Sequence, residues 1–116
     1  GRAEVRRADV VSLPYEDETF DRIIAIETFL FWPEPLTALR ELRRVLKPNG
    51  RLIIVLDSSM ESPDKKELAT SARMLNVEFY SGTQLVDLLR SAGFVRPSFD
   101  ALPDRGRGWL CAIGDK

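Results

Sequence analysis

The chain has 116 residues, 44% of them hydrophobic, a size at which one core can be buried and two separate domains are not expected. Its 17 basic and 18 acidic residues give a net charge of -1, which supplies no overall positive field for nucleic acid or for an anionic membrane. With no histidine and a single cysteine, the usual hydrolase triads, zinc sites and internal disulfides are set aside, and a reducing, cytoplasmic compartment is expected.

No apolar run approaches the ~20 residues that span a bilayer, and the opening "GRAEVRRADV" lacks the apolar core of a signal peptide. Gly1 stands where an initiator methionine would, which fits either a cloning remnant or the start of a fragment. From Ala3 to Val10 the alternation suggests a short polar strand. The acids and the proline of "VSLPYEDETF" then make an exposed turn.

That turn leads into "FDRIIAI", whose β-branched run from Ile23 to Ile26 reads as a parallel strand covered on both faces. Pro33 and Pro35 flank Glu34, and a proline suits a first helical turn because its missing amide hydrogen has no partner there anyway. A helix is expected from about Pro35. Leu36, Leu39, Leu42 and Leu46 form its inner face, with Arg40, Glu41, Arg43 and Arg44 as a solvated outer face.

In "KPNG", Pro48 forbids continuation of the helix, and Asn49 and Gly50 both tolerate left-handed backbone. The aliphatic "RLIIVL" follows as a second buried strand and completes a βαβ unit. Beyond the loop "SSMESPDKK", Leu68, Ala69, Ala72 and Leu75 fall on one face of a modest helix. A further helix is better marked. Ser81 and Gln84 have capping-box spacing, Leu85, Leu88, Leu89 and Ala92 form its stripe, and Gly93 ends it.

"FVRPSFDAL" and "WLCAIG" are separated only by "PDRGRG", too short for a crossover, so they should pair as an antiparallel hairpin. Pro97 cannot donate a ladder bond and assigns the first of these strands to a sheet edge. Cys111, within "WLCAIG", reads as a small core residue. Gly106 and Gly108 serve a hairpin turn better than a phosphate loop, since no helix follows them.

Ligands of open parallel sheets bind beyond the carboxyl ends of the strands, which selects Glu27, Thr28, Phe31, Trp32, Asp57 and Ser58. Phe31 and Trp32 are suited either to wall a flat ligand or to anchor the loop by packing. Glu27 and Asp57 could form a carboxylate pair on neighbouring strands, but they read better as two solvated acids at strand ends.

Taken in order, "ADVVSLPYEDETFDRIIA" and "ALRELRRVLKPNGRLII" resemble the class I S-adenosylmethionine-dependent methyltransferases, in particular the small-molecule branch related to ubiquinone and menaquinone methyltransferases. The resemblance implies an α/β fold: a partial Rossmann-like sheet with helices on both faces, ending in an antiparallel β-hairpin. It implies S-adenosylmethionine as cofactor, with Asp9 accepting from the adenine amine, the Val10 amide reaching a ring nitrogen, and Glu27 and Thr28 at the methionine end. Phe31 and Trp32 would approach a small-molecule acceptor. Asn49 replaces the first glycine of the family's usual Gly-Gly pair.

The family's glycine-rich loop and ribose-binding acid lie upstream of this signature and have no counterpart in residues 1–116, so the chain is expected to be the C-terminal part of a methyltransferase domain, inactive alone. An alternative is a non-catalytic α/β interaction module. A strand "DRIIAI" lacking one neighbour is further expected to drive self-association through its open edge.

Overall fold

The computed structural model describes residues 15–26 and 34–116, so the strand expected over Ala3–Val10 lies outside the described residues. Strand β1 runs Phe20–Ile26, helix α1 Pro35–Val45 and strand β2 Leu46–Leu56. Helices α2 (Lys65–Leu75) and α3 (Gly82–Ser91) follow, then strands β3 (Val95–Leu102) and β4 (Trp109–Asp115). The sheet order is β1-β2-β4-β3, with β1 parallel to β2 and the other pairings antiparallel. The α/β class, the βαβ unit and the terminal hairpin are as the sequence predicts, with β3 on the edge.

Alternation along the strands builds one core. Leu52, Ile54 and Leu56 of β2 and Leu110 and Ala112 of β4 meet Leu39 and Leu42 of α1 and Leu85 and Leu89 of α3, all of them buried. On β1, Ala25 is buried and Ile23 partly so, but Ile24 and Ile26 are each 58% exposed. The expectation that this strand is covered on both faces therefore fails for the described residues. The physical reason is that α1 and α3 touch one another and share a single core, so the alternate residues of β1 point away from it.

Pro35 opens α1 as predicted, but the helix stops one residue sooner than its apolar pattern suggests. Leu46 has extended backbone and pairs with Phe20, and a register shift before the Arg22–Arg51 pair absorbs the Lys47–Gly50 excursion as a bulge. Asn49 adopts the left-handed conformation at φ 67°. Gly50 has a different reason to be glycine: a Cβ there would meet the Lys47 carbonyl oxygen at 2.8 Å and that of Asp21 at 3.0 Å.

The basic face of α1 is more than a solvated surface. Arg43 Nε donates to the Gly93 carbonyl at 3.1 Å, and Arg44 bonds Asp17 at 2.7 Å and Glu41 at 2.6 Å. The amides of Glu18 and Thr19 donate to the carbonyls of Arg44 and Val45, so the turn before β1 occupies the acceptors that a helix end leaves over.

In α2 the predicted apolar face is only partly used: Leu68 is buried and Ala72 half-buried, whereas Ala69 and Leu75 are exposed. Its ends are nevertheless well made, with Asp64 accepting from the Glu67 amide and Asn76 left-handed at φ 53°. The capping box of α3 is present in both directions: Gln84 N donates to Ser81 Oγ at 3.1 Å and Ser81 N to Gln84 Oε1 at 2.8 Å.

Candidate functional site

β1 and β2 end side by side, with Ile26 opposite Val55, at the end where open α/β sheets generally bind ligands. Asp9, Val10, Glu27, Thr28, Phe31 and Trp32 lie outside the described residues, as does one partner of the Glu27–Asp57 pairing. Asp57 and Ser58, which follow β2, are described: Asp57 is exposed and Ser58 half-buried.

The loop carrying them is held by a turn that sequence reasoning assigned only to the hairpin. Because β4 runs antiparallel to β2, with Leu110 opposite Leu56, the β3–β4 turn arrives at the carboxyl end of β2. Arg107 N donates to the Asp57 carbonyl at 2.9 Å, and Ser59 N donates to the Arg107 carbonyl at 3.0 Å. Ser59 is fully buried. Its Oγ donates to the Gly108 carbonyl at 2.6 Å and accepts from the Glu61 amide at 3.1 Å.

Gly108, at φ 85°, fits because a Cβ would stand 2.4 Å from the Ser62 amide nitrogen. The Arg107 guanidinium continues outward to Glu67 at 2.9 Å and to Ser71 at 3.3 Å, tying the turn to α2. Glu61 Oε1 accepts from the Gly82 amide at 2.8 Å, and Met60 N donates to the Tyr80 carbonyl, which fixes the same loop to the start of α3. The sequence carries no local signal for this role, which follows only from the antiparallel pairing of β4 with β2.

Beside this loop a groove of about 340 Å³ runs between α2 and residues 77–79, lined by Met60, Leu68, Ala72, Val77 and Phe79. Lys65 and Glu78 also line it, and the Lys65 ammonium donates to the Met60 carbonyl. Burial, helped by the negative charge of Glu78, pushes the Tyr80 phenol above its ordinary value. Cys111, expected in the core, is instead half-buried, because the alternation of β4 turns Leu110 and Ala112 into the core and Cys111 away from it. Burial and then Asp100 raise its thiol, so it stays protonated and poorly nucleophilic. No group of acidic or cysteine side chains suited to a metal ion occurs among the described residues.

A parallel strand–helix–strand unit extended by an antiparallel hairpin in one sheet defines a Rossmann-like α/β protein. A methyltransferase domain family matches residues 1–54. Over 128 aligned positions the chain is 37% identical to the O-methyltransferase cnsE of Penicillium expansum, covering 100% of this chain and 46% of that protein. It is 33% identical to the O-methyltransferase resE of Aspergillus sclerotiorum, covering 92% of this chain and 41% of that protein. The solved structure of a SAM-dependent methyltransferase from Thermotoga maritima superposes with a TM-score of 0.79 at 27% identity, over 92% of this chain and 61% of that one.

Sequence and fold together support a class I S-adenosylmethionine-dependent methyltransferase. The chain spans less than half the length of either curated relative.

Proposed function

We propose that the protein containing this chain transfers a methyl group from S-adenosylmethionine to an oxygen of a small-molecule acceptor. The observation that carries this reading is chain-long similarity to two O-methyltransferases, joined to a parallel β1–β2 pair whose carboxyl ends are in register. When bound, the cofactor would supply an electrophilic methyl group to the acceptor oxygen and be left as a neutral thioether, with the acceptor's hydroxyl proton passing to water. Positioning accounts for much of the rate of such a displacement.

The described residues fit a ligand lying across these strand ends, because the loop after β2 is fixed through Ser59 and Glu61 rather than free to collapse into the crevice. In this reading Asp9 accepts from the adenine amine and the Val10 amide donates to the ring. Glu27 and Thr28 hold the methionine end, while Phe31 and Trp32 exclude water and orient the acceptor. The groove beside Met60 and Phe79 favours an acceptor with an apolar portion. The absence of histidine from residues 1–116 assigns no imidazole base to this part of the site.

Calorimetric titration of the full-length protein with S-adenosylhomocysteine tests the cofactor assignment. Asp9→Ala should weaken binding by about 1–3 kcal/mol, the range for depriving a buried group of its partner. Equal affinity of parent and variant would remove Asp9 from the site. Failure of the parent to bind at all would favour a non-catalytic interaction module.

A further inference from the structure

The opposite end of the sheet carries a second, differently built surface. One register row crosses all four strands near the amino end of β1 and just past the bulge of β2: Arg22 stands opposite Arg51, Arg51 opposite Asp115, and Asp115 opposite Val95, the neighbour of Arg96. Arg22, Arg51, Arg96, Asp21, Asp115 and Asn49 line a single groove of about 570 Å³ there.

The charges in this groove do not balance. Asp115 is shared, accepting from Arg51 Nε at 2.8 Å and from Arg96 Nε at 3.4 Å. Asp21 faces Lys47 at 3.7 Å. Among the described residues no carboxylate lies within ion-pair distance of Arg22. Three guanidiniums thus share the groove with two carboxylates, in a chain whose net charge is -1.

Like charges directly opposite on neighbouring strands repel, and Arg22 and Arg51 are such a pair. Arg96 adds an independent sign of construction. It is left-handed at φ 50° immediately before Pro97, within the register slip between Val95 and Ser98, and its Nε lies 3.4 Å from Asp115. Both pairs to Asp115 use Nε, so the terminal nitrogens of Arg51 and Arg96 lie outside that contact, on side chains 43% and 74% exposed.

We propose that this groove binds a multivalent oxyanion, of phosphoryl or polycarboxylate type, at the end of the sheet remote from the methyl-transfer crevice. Planar guanidinium forks match both groups through paired, charge-assisted hydrogen bonds. A bound anion would relieve the Arg22–Arg51 repulsion that Asp115, already shared, leaves in place. The groove is also larger than one carboxylate requires, which favours a ligand with more than one anionic group.

The test is calorimetric titration of the full-length protein with sodium pyrophosphate and, separately, with citrate, at fixed ionic strength. Arg22→Gln and Arg96→Gln are compared with the parent, and their melting temperatures check folding. Saturable binding of pyrophosphate alone would identify a phosphoryl ligand, and of citrate alone a carboxylate one. Each variant should lose affinity about tenfold, the ratio that corresponds to one charge-assisted contact of ~1.4 kcal/mol, with S-adenosylhomocysteine affinity unchanged. Heats no larger than those of sodium chloride at matched ionic strength, or folded variants that titrate like the parent, would overturn the proposal.

Discussion

Ser59 Oγ donates a 2.6 Å hydrogen bond to the carbonyl of Gly108, joining residues 49 positions apart in the two loops that meet at the carboxyl end of β2. Both residues are buried, so water cannot replace the bond if it is lost. Ser59→Ala should cost about 1–3 kcal/mol, the penalty for a buried polar group deprived of its partner. Urea unfolding monitored by circular dichroism measures this, and a midpoint equal to the parent's would show that the loop is held by its backbone bonds alone.

Burial distinguishes leucines that look alike in sequence. Leu42 and Leu89 lie in the shared core at 6% and 0% exposure, whereas Leu75, predicted to face inward on α2, is 55% exposed. Leu42→Ala and Leu89→Ala should each lower stability by about 2–5 kcal/mol, and Leu75→Ala should stay within roughly 0.5 kcal/mol of the parent. Thermal melts of the three variants decide it. Equal losses at all three positions would contradict the packing of α2.

That contrast also marks what the sequence could convey. The stripe of α3, its Ser81–Gln84 box and the edge strand bearing Pro97 were legible because each depends on local chemistry that a short window contains. Leu75 and Ile24 were misjudged because apolar periodicity says that a face can be buried, not that a partner lies opposite it. The termination of α1 was misplaced for a related reason. Leu46 fits the helical pattern, but the pairing of Phe20 with it draws it into β2. Arg107 and Ser59 carry no local signature, since their roles arise only when an antiparallel β4 brings its turn to the end of β2.

Acid sensitivity should centre on Asp115. The hydrogen bond from Arg51 holds its carboxyl below the usual carboxylate range, with the charge of Arg51 and the contact to Arg96 acting in the same direction against desolvation. A folded value below the unfolded one contributes stability that is present above the ordinary aspartate value of about 3.9. That contribution is lost as pH falls through the lower, folded value. Melting temperatures recorded on an acid series should fall more steeply below about pH 4 for the parent than for Asp115→Asn. Superimposable acid limbs would show that the carboxylate is no better stabilised in the fold than in the unfolded chain.

We propose that the 116-residue chain in isolation self-associates through β1. Among the described residues β1 pairs only with β2, and Ile24 and Ile26 stand 58% exposed on the face away from the shared core. Sheet edges that remain solitary in solution are normally blunted by charge, proline or a covering element, and the outer half of this strand offers two isoleucines instead. Placing a lysine at Ile24 should oppose pairing on both counts: it removes apolar surface, and it sets like charges against each other when two copies approach edge to edge. Ile24 makes little contact with the core, so the substitution should leave the melting temperature of the fold nearly unchanged while shifting association to higher protein concentration. Light scattering across a dilution series, run on the parent and on Ile24→Lys, separates the outcomes. A parent that is monomeric throughout the series would refute association, and an oligomer that persists unaltered in the lysine variant would move the contact away from β1.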